Sequence, residues 1–168
     1  MAEEAPTVTT DGGVIHFTGR LVNAACSVST ESDGQTVKLG EYRTASMKGI
    51  GTESATRPFT IVLNDCDSSI SSMAKVAFSG QTIASGGIDN SLLNIASSEN
   101  KATASGVGIQ ILDEDSTPLI LDGATFSKGH KLIDGTNTLN FSARYVSVAD
   151  EPEAGEANAD ATFTMQYQ

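Results

Sequence analysis

Thr9-Thr10-Asp11-Gly12-Gly13-Val14-Ile15-His16-Phe17-Thr18-Gly19-Arg20-Leu21-Val22-Asn23 is the stretch on which the reading of this chain turns. Fully extended it would run for about 50 Å at roughly 3.3 Å per residue, well beyond the roughly five or six residues of an ordinary strand. Thr9, Asp11, Gly13, Ile15 and Phe17 fall on one face, which ends in two large apolar groups. The other face, Thr10, Gly12, Val14, His16 and Thr18, is smaller and more polar. Gly19 then breaks the alternation before Leu21 and Val22. The stretch therefore divides into an N-terminal arm with one apolar face and a separate first strand, Arg20 to Asn23, leading toward Cys26.

The opposite end has the same character. Ala161, Phe163, Met165 and Tyr167 alternate with Thr162, Thr164, Gln166 and Gln168 to the end of the chain, the pattern of a strand with one face on a core. Between the two ends, period-two alternation recurs at Thr36–Leu39, Phe59–Leu63, Lys75–Phe78, Val107–Leu112 and Leu139–Tyr145. Ser32-Asp33-Gly34, Ser85-Gly86-Gly87, Asp122-Gly123, Asp134-Gly135 and Glu153-Ala154-Gly155 separate these runs as turns, because Gly admits positive φ and Asp bonds its own backbone. Arg43–Lys48 and Ile88–Ala96 have room for a helical turn, but neither sustains a helical face. Seven or more short strands with such turns predict an all-β fold, with a sandwich favoured over a barrel.

Composition narrows the function classes. The 168 residues suit one domain, and 21 acidic against 10 basic residues give a formal charge of -11. That charge repels phosphate backbones and anionic lipid, which argues against a nucleic-acid partner. Apolar runs such as Ile61-Val62-Leu63 are far below the roughly 18 residues of a membrane span, so no membrane insertion is expected. Met1-Ala2-Glu3-Glu4 has neither a basic nor an apolar leader segment, so no secretory leader is expected in the chain as it stands. Cys26 and Cys66 are compatible with two buried thiols or with one disulfide, which requires an oxidising compartment.

Catalytic and metal chemistry find little support. His16 lies on the arm and His130 in a Lys128-Gly129-His130-Lys131 turn, so neither pairs with the cysteines at zinc spacing, and no metal or other cofactor is expected. Asp113-Glu114-Asp115 runs into Ser116-Thr117-Pro118, without the glycine and terminal Glu of a calcium loop, and reads as a solvated turn. Gly49-Ile50-Gly51 lacks both the third glycine and the lysine of a phosphate loop.

The chain resembles the pilins of type 1 fimbriae, the major subunits assembled by the chaperone–usher pathway of Gram-negative bacteria. The resemblance runs from Thr10 to Gln168. It is carried by Asp11-Gly12-Gly13-Val14-Ile15-His16-Phe17-Thr18-Gly19, Leu21-Val22-Asn23-Ala24-Ala25-Cys26, Gln35-Thr36-Val37-Lys38-Leu39-Gly40, Leu63-Asn64-Asp65-Cys66-Asp67, Leu121-Asp122-Gly123-Ala124-Thr125-Phe126 and Ala157-Asn158-Ala159-Asp160-Ala161-Thr162-Phe163. It implies an incomplete immunoglobulin-like β-sandwich, completed by a donor strand from a neighbouring subunit. Residues 1–18 would be the donor-strand arm and 19–168 the pilin domain. Thr9, Asp11, Gly13, Ile15 and Phe17 would face the neighbour's groove, with Gly13 at a shallow point. The resemblance further implies a Cys26–Cys66 disulfide, and chaperone recognition through Gly155 and the terminal strand residues Phe163, Met165 and Tyr167. The implied protein is a non-enzymatic structural subunit of a helical homopolymer on the bacterial surface. Its implied partners are copies of itself, tip adaptor subunits, and, in periplasmic transit, a chaperone and an outer-membrane usher. A minor or adaptor pilin and a self-contained secreted binding module are the competing readings.

Overall fold

The computed structural model describes residues 3–83, 91–97 and 100–168. Nine strands are formed among them: β1 (Ser27–Val28), β2 (Arg57–Cys66), β3 (Met73–Ser79), β4 (Leu92–Leu93), β5 (Val107–Leu112), β6 (Asp122–Phe126), β7 (His130–Lys131), β8 (Gly135–Ser147) and β9 (Thr162–Tyr167). The single 3-10 turn among the described residues, Thr44–Met47, occupies the Arg43–Lys48 segment and buries Met47. The expected turn at Ser85-Gly86-Gly87, and the Ile88–Asn90 part of the possible helical turn, lie outside the described residues.

One sheet has the order β1-β2-β8-β5-β4, and the second is built around β3, with β6 and β7 along one edge and β9 along the other. The strand pairs of both sheets are antiparallel. Alternation explains the long members. On β8, Asn137, Leu139, Phe141 and Ala143 are buried, while the intervening residues remain more accessible. On β2 the inward positions Ile61 and Leu63 are nearly inaccessible. β3 contributes Ala74, Val76 and Phe78 from the other sheet, so the two inner faces share one core. The Cys26–Cys66 disulfide joins the entry of β1 to the end of β2. Its loop, with a sequence separation of 40, corresponds to about 4 kcal/mol by the chain-entropy relation.

An immunoglobulin-type sandwich places strands A, B, E and D in one sheet and C, F and G in the other. Here β1, β2, β8 and β5 follow the A-B-E-D order, while β3 and β9 take the places of C and F. Beyond the outer edge of β9, where G belongs, no strand pairs among the described residues. The sandwich is incomplete at its C-terminal strand.

Four expectations are corrected. Arg20–Asn23 forms no strand and is exposed, so the folded part begins at the buried Ala25. Thr36–Leu39 also forms no strand, although Leu39 packs on the core. His130 belongs to β7 and pairs with Ala74 rather than sitting in a turn. Asp113 is buried, because its carboxylate accepts the backbone N–H of Glu114 and of Lys128, both at 2.8 Å, and ties the end of β5 to the β6–β7 connection.

Candidate functional site: an open sheet edge and a free arm

β9 reaches its place by register with β3, from Thr162 opposite Ser79 to Tyr167 opposite Ala74. The pairing continues where Gln168 N–H donates to the Met73 carbonyl at 2.9 Å and the Gln168 carbonyl accepts from Ser72 at 2.7 Å. All of these bonds lie along the β3 edge. The opposite edge offers backbone donors and acceptors to any added strand, the geometry used in β-augmentation.

The side chains facing this opening are half-buried. Phe163, Met165 and Tyr167 pack on the core from β9, while Val28, Leu39 and Phe59 pack on it from the other sheet and its margin. Phe78 bridges the two groups, with ring centroids 6.5 Å from Phe163 and 6.1 Å from Phe59. Phe141 lies behind both, 5.2 Å from Phe78 and 5.7 Å from Phe59. A missing strand would cover this aromatic floor. Partial burial also pushes the Tyr167 phenol above its ordinary pKa.

Alongside β2 runs the irregular segment Gln35–Tyr42. The Gln35 amide donates to the Thr60 carbonyl at 2.9 Å, and the Tyr42 hydroxyl donates to the Leu39 carbonyl at 2.7 Å. The Tyr42 ring meets Tyr145 edge-on at 5.8 Å, and the Tyr145 hydroxyl donates to the Ala157 carbonyl at 2.6 Å. Tyr145 therefore ties this segment to the one that leads into β9. A depression of about 520 Å³ lies between Gln35–Lys38 and Arg57–Thr60. Val28, Leu39, Phe59 and Tyr145 were not among the sequence-derived site residues. Phe59 was legible as part of an alternating run, but its side of the opening is set by pairing between β2 and β8.

The arm residues do not meet this groove within the chain. Every described residue from Glu3 to Ala24 is exposed, with Phe17 at 90% and Leu21 at 101% relative exposure. Thr9, Asp11, Gly13, Ile15 and Phe17 thus share one exposed segment. Gly13 has φ +116, and a side-chain carbon there would meet nothing within 4 Å. Its backbone conformation favours glycine, yet its own domain places no steric demand on it.

Gly155 lies away from β9. A Cβ there would collide with the Ala104 nitrogen and fall 2.5 Å from the Thr103 carbonyl carbon. Glycine permits the loop before β9 to pack against residues 102–104, a structural demand that stands whatever else the residue contacts.

Polarity of the strands places arm and groove in a definite relation. Asp67 N–H donates to the Ala25 carbonyl at 2.9 Å, so the arm leaves at the pole that holds the end of β2 and the beginning of β3. β9 ends at that same pole, opposite Ala74, and begins at the other, opposite Ser79. A donor strand in the G position runs antiparallel to β9. If another copy's arm supplied that strand, it would enter from the pole opposite the recipient's own arm root, and one molecule's arm root would abut the far pole of the next. Such a contact would be heterologous and would not close on itself, so its repetition would yield a filament.

Known proteins resemble this chain in sequence and in fold. The family model described as fimbrial protein matches residues 15–168. The chain is 54% identical over 171 residues to a type 1 fimbrial subunit of Salmonella typhimurium, covering 100% of this chain and 89% of the relative. It is 48% identical over 164 residues to the type 1 fimbrial protein A chain of Escherichia coli strain K12, covering 98% and 88%. Among solved structures, a chaperone–usher pilus subunit superposes with TM-score 0.76 at 24% identity, covering 98% of this chain and 100% of that one. A type I fimbria protein of Burkholderia pseudomallei gives TM-score 0.62 at 28% identity, covering 87% and 91%.

Proposed function

The chain belongs to the fimbrial protein family, and from that premise we propose how it works as a structural pilin: its arm completes the sandwich of the next copy, and repetition builds the rod of a surface fimbria. Residues 1–18 serve as the donor-strand arm and residues 19–168 as the pilin domain, with the exposed segment 19–24 as a tether. Ile15 and Phe17 enter the groove, each contributing about 1.5 to 3 kcal/mol on full burial. Thr9, Asp11 and Gly13 continue the same face, and main-chain bonds to the open edge of β9 add affinity that does not depend on side chains. A slip of one residue would turn both large apolar groups outward.

The observation that carries this reading is one chain with an open outer edge on β9 and an exposed arm with one apolar face. Before assembly, both surfaces invite indiscriminate pairing. That hazard supports a periplasmic chaperone that covers the groove along Phe163, Met165 and Tyr167, with delivery to an outer-membrane usher and attachment beneath tip adaptor subunits. The role is structural and non-enzymatic, in support of adhesion at the cell surface. Deletion of residues 1–18 tests it: the truncated chain should form no filaments alone yet bind a peptide spanning residues 9–23. Filaments of ordinary length from the truncated chain would overturn the proposal.

A further inference from the structure

The strand polarity and side-chain sizes carry one step more, which rests on the donor-strand reading. Directly opposed residues of an antiparallel pair lie on the same face. The arm's odd positions must therefore oppose Phe163, Met165 and Tyr167, the half-buried face of β9. Several registers satisfy that rule, differing by two residues, and size separates them. Tyr167 is the bulkiest of the three, and Gly13 is the one inward arm position without a side chain. Setting Gly13 against Tyr167 puts Ile15 against Met165 and Phe17 against Phe163. A shift of two in one direction sets Ile15 against Tyr167 and carries Gly13 past the end of β9, and in the other leaves Phe17 opposite Ala161, outside β9.

We propose that the donor arm lies in this register and that pairing continues past the groove, so that Arg20 of one copy meets Asp160 of the next. Arg20 and Asp160 both occupy even positions and so share the outer face. Both are exposed, and neither forms an ion pair within its own chain among the described residues. Asp160 sits on the run into β9, at the pole where the incoming arm enters, and Arg20 follows Phe17 on the tether. A two-residue shift instead brings Arg20 opposite Asn158 or Thr162, neither of which carries a charge. The contact between opposite charges thus reports the register. As an exposed pair it adds modest affinity.

Filaments of the Arg20→Lys variant, treated with a zero-length carbodiimide coupler and digested, should give a dominant cross-linked peptide joining the introduced amine at position 20 to Asp160. The same link should be absent from dissociated subunits. A dominant link from position 20 to another carboxylate, or no such link in filaments that do form, overturns the register. As an independent arm, Asp160→Arg should slow assembly about two- to fivefold, and Arg20→Asp added to that variant should restore it. Failure of the reversed pair to restore assembly also overturns the proposal. Absence of filaments from the unaltered chain would instead overturn the donor-strand reading beneath it.

Discussion

Replacement of Phe17 by Ala separates the arm's role in assembly from any role in folding. The ring is 90% exposed in the isolated subunit, so its removal should leave subunit stability within about 0.5 kcal/mol. In the proposed register it is buried beside the neighbour's Phe163, and its loss should cost about 1.5 to 3 kcal/mol of association free energy. At about 1.4 kcal/mol per decade that is roughly a ten- to hundredfold faster release of subunits. The assay is dissociation of filaments in guanidinium, followed by light scattering, beside equilibrium unfolding of the monomer. Val14→Ala is the internal control, because Val14 lies on the opposite face of the arm and should change release by less than about threefold. Equal effects of the two substitutions, or a monomer destabilised by Phe17→Ala, would refute the assignment of the odd face to the groove.

Three further outcomes follow from the domain itself. Reduction of the Cys26–Cys66 disulfide should lower monomer stability by about 4 kcal/mol in denaturant unfolding; unchanged stability would show that the bridge constrains little. The Asp115 carboxyl is held at a pKa of about 2, against an ordinary 3.8, first by the hydrogen bond from Lys128 and then by those from Thr117. Because the folded value is depressed, its stabilising contribution is present above about pH 4 and is lost as pH falls toward 2. In Lys128→Ala the Asp115 titration, read by NMR, should move back toward 3.8. Gly155→Ala should destabilise the monomer by about 1 to 3 kcal/mol, because its Cβ meets backbone atoms of residues 103 and 104; an unchanged Tm would contradict that packing.

Legibility in the sequence followed burial. The alternating runs at 59–63, 75–78, 107–112 and 139–145 all lie within observed strands, because each buries at least one face in its own domain. Val14–Phe17 has an equally clear pattern and forms no strand in the isolated chain. Alternation records a half-buried strand without recording which molecule buries it. Thr36–Leu39, alongside β2, likewise forms no strand. The two-residue strands β1, β4 and β7 are too short for periodicity to appear. Asp113 shows the same limit at a single residue: its acidic neighbours suggested a solvated loop, whereas the backbone donors that bury it arrive partly from Lys128, fifteen positions away. Phe163, Met165 and Tyr167 were readable as the inward face of the terminal strand, whereas Phe59, Leu39 and Val28 join them only through tertiary packing. From composition and spacing alone Cys26 and Cys66 admitted two readings; the resemblance implied the bridge, and the structure forms it.

The most direct measurement is an electron microscopy reconstruction of the purified protein in its assembled form. Helical filaments are expected, with density for an extended segment of one copy paired antiparallel to the outer edge of β9 in the next, and with Ile15 and Phe17 over the ring of Phe78. Filaments in which that edge stays open, or particles in which each chain's own arm fills its own groove, would contradict completion of the fold by a neighbour.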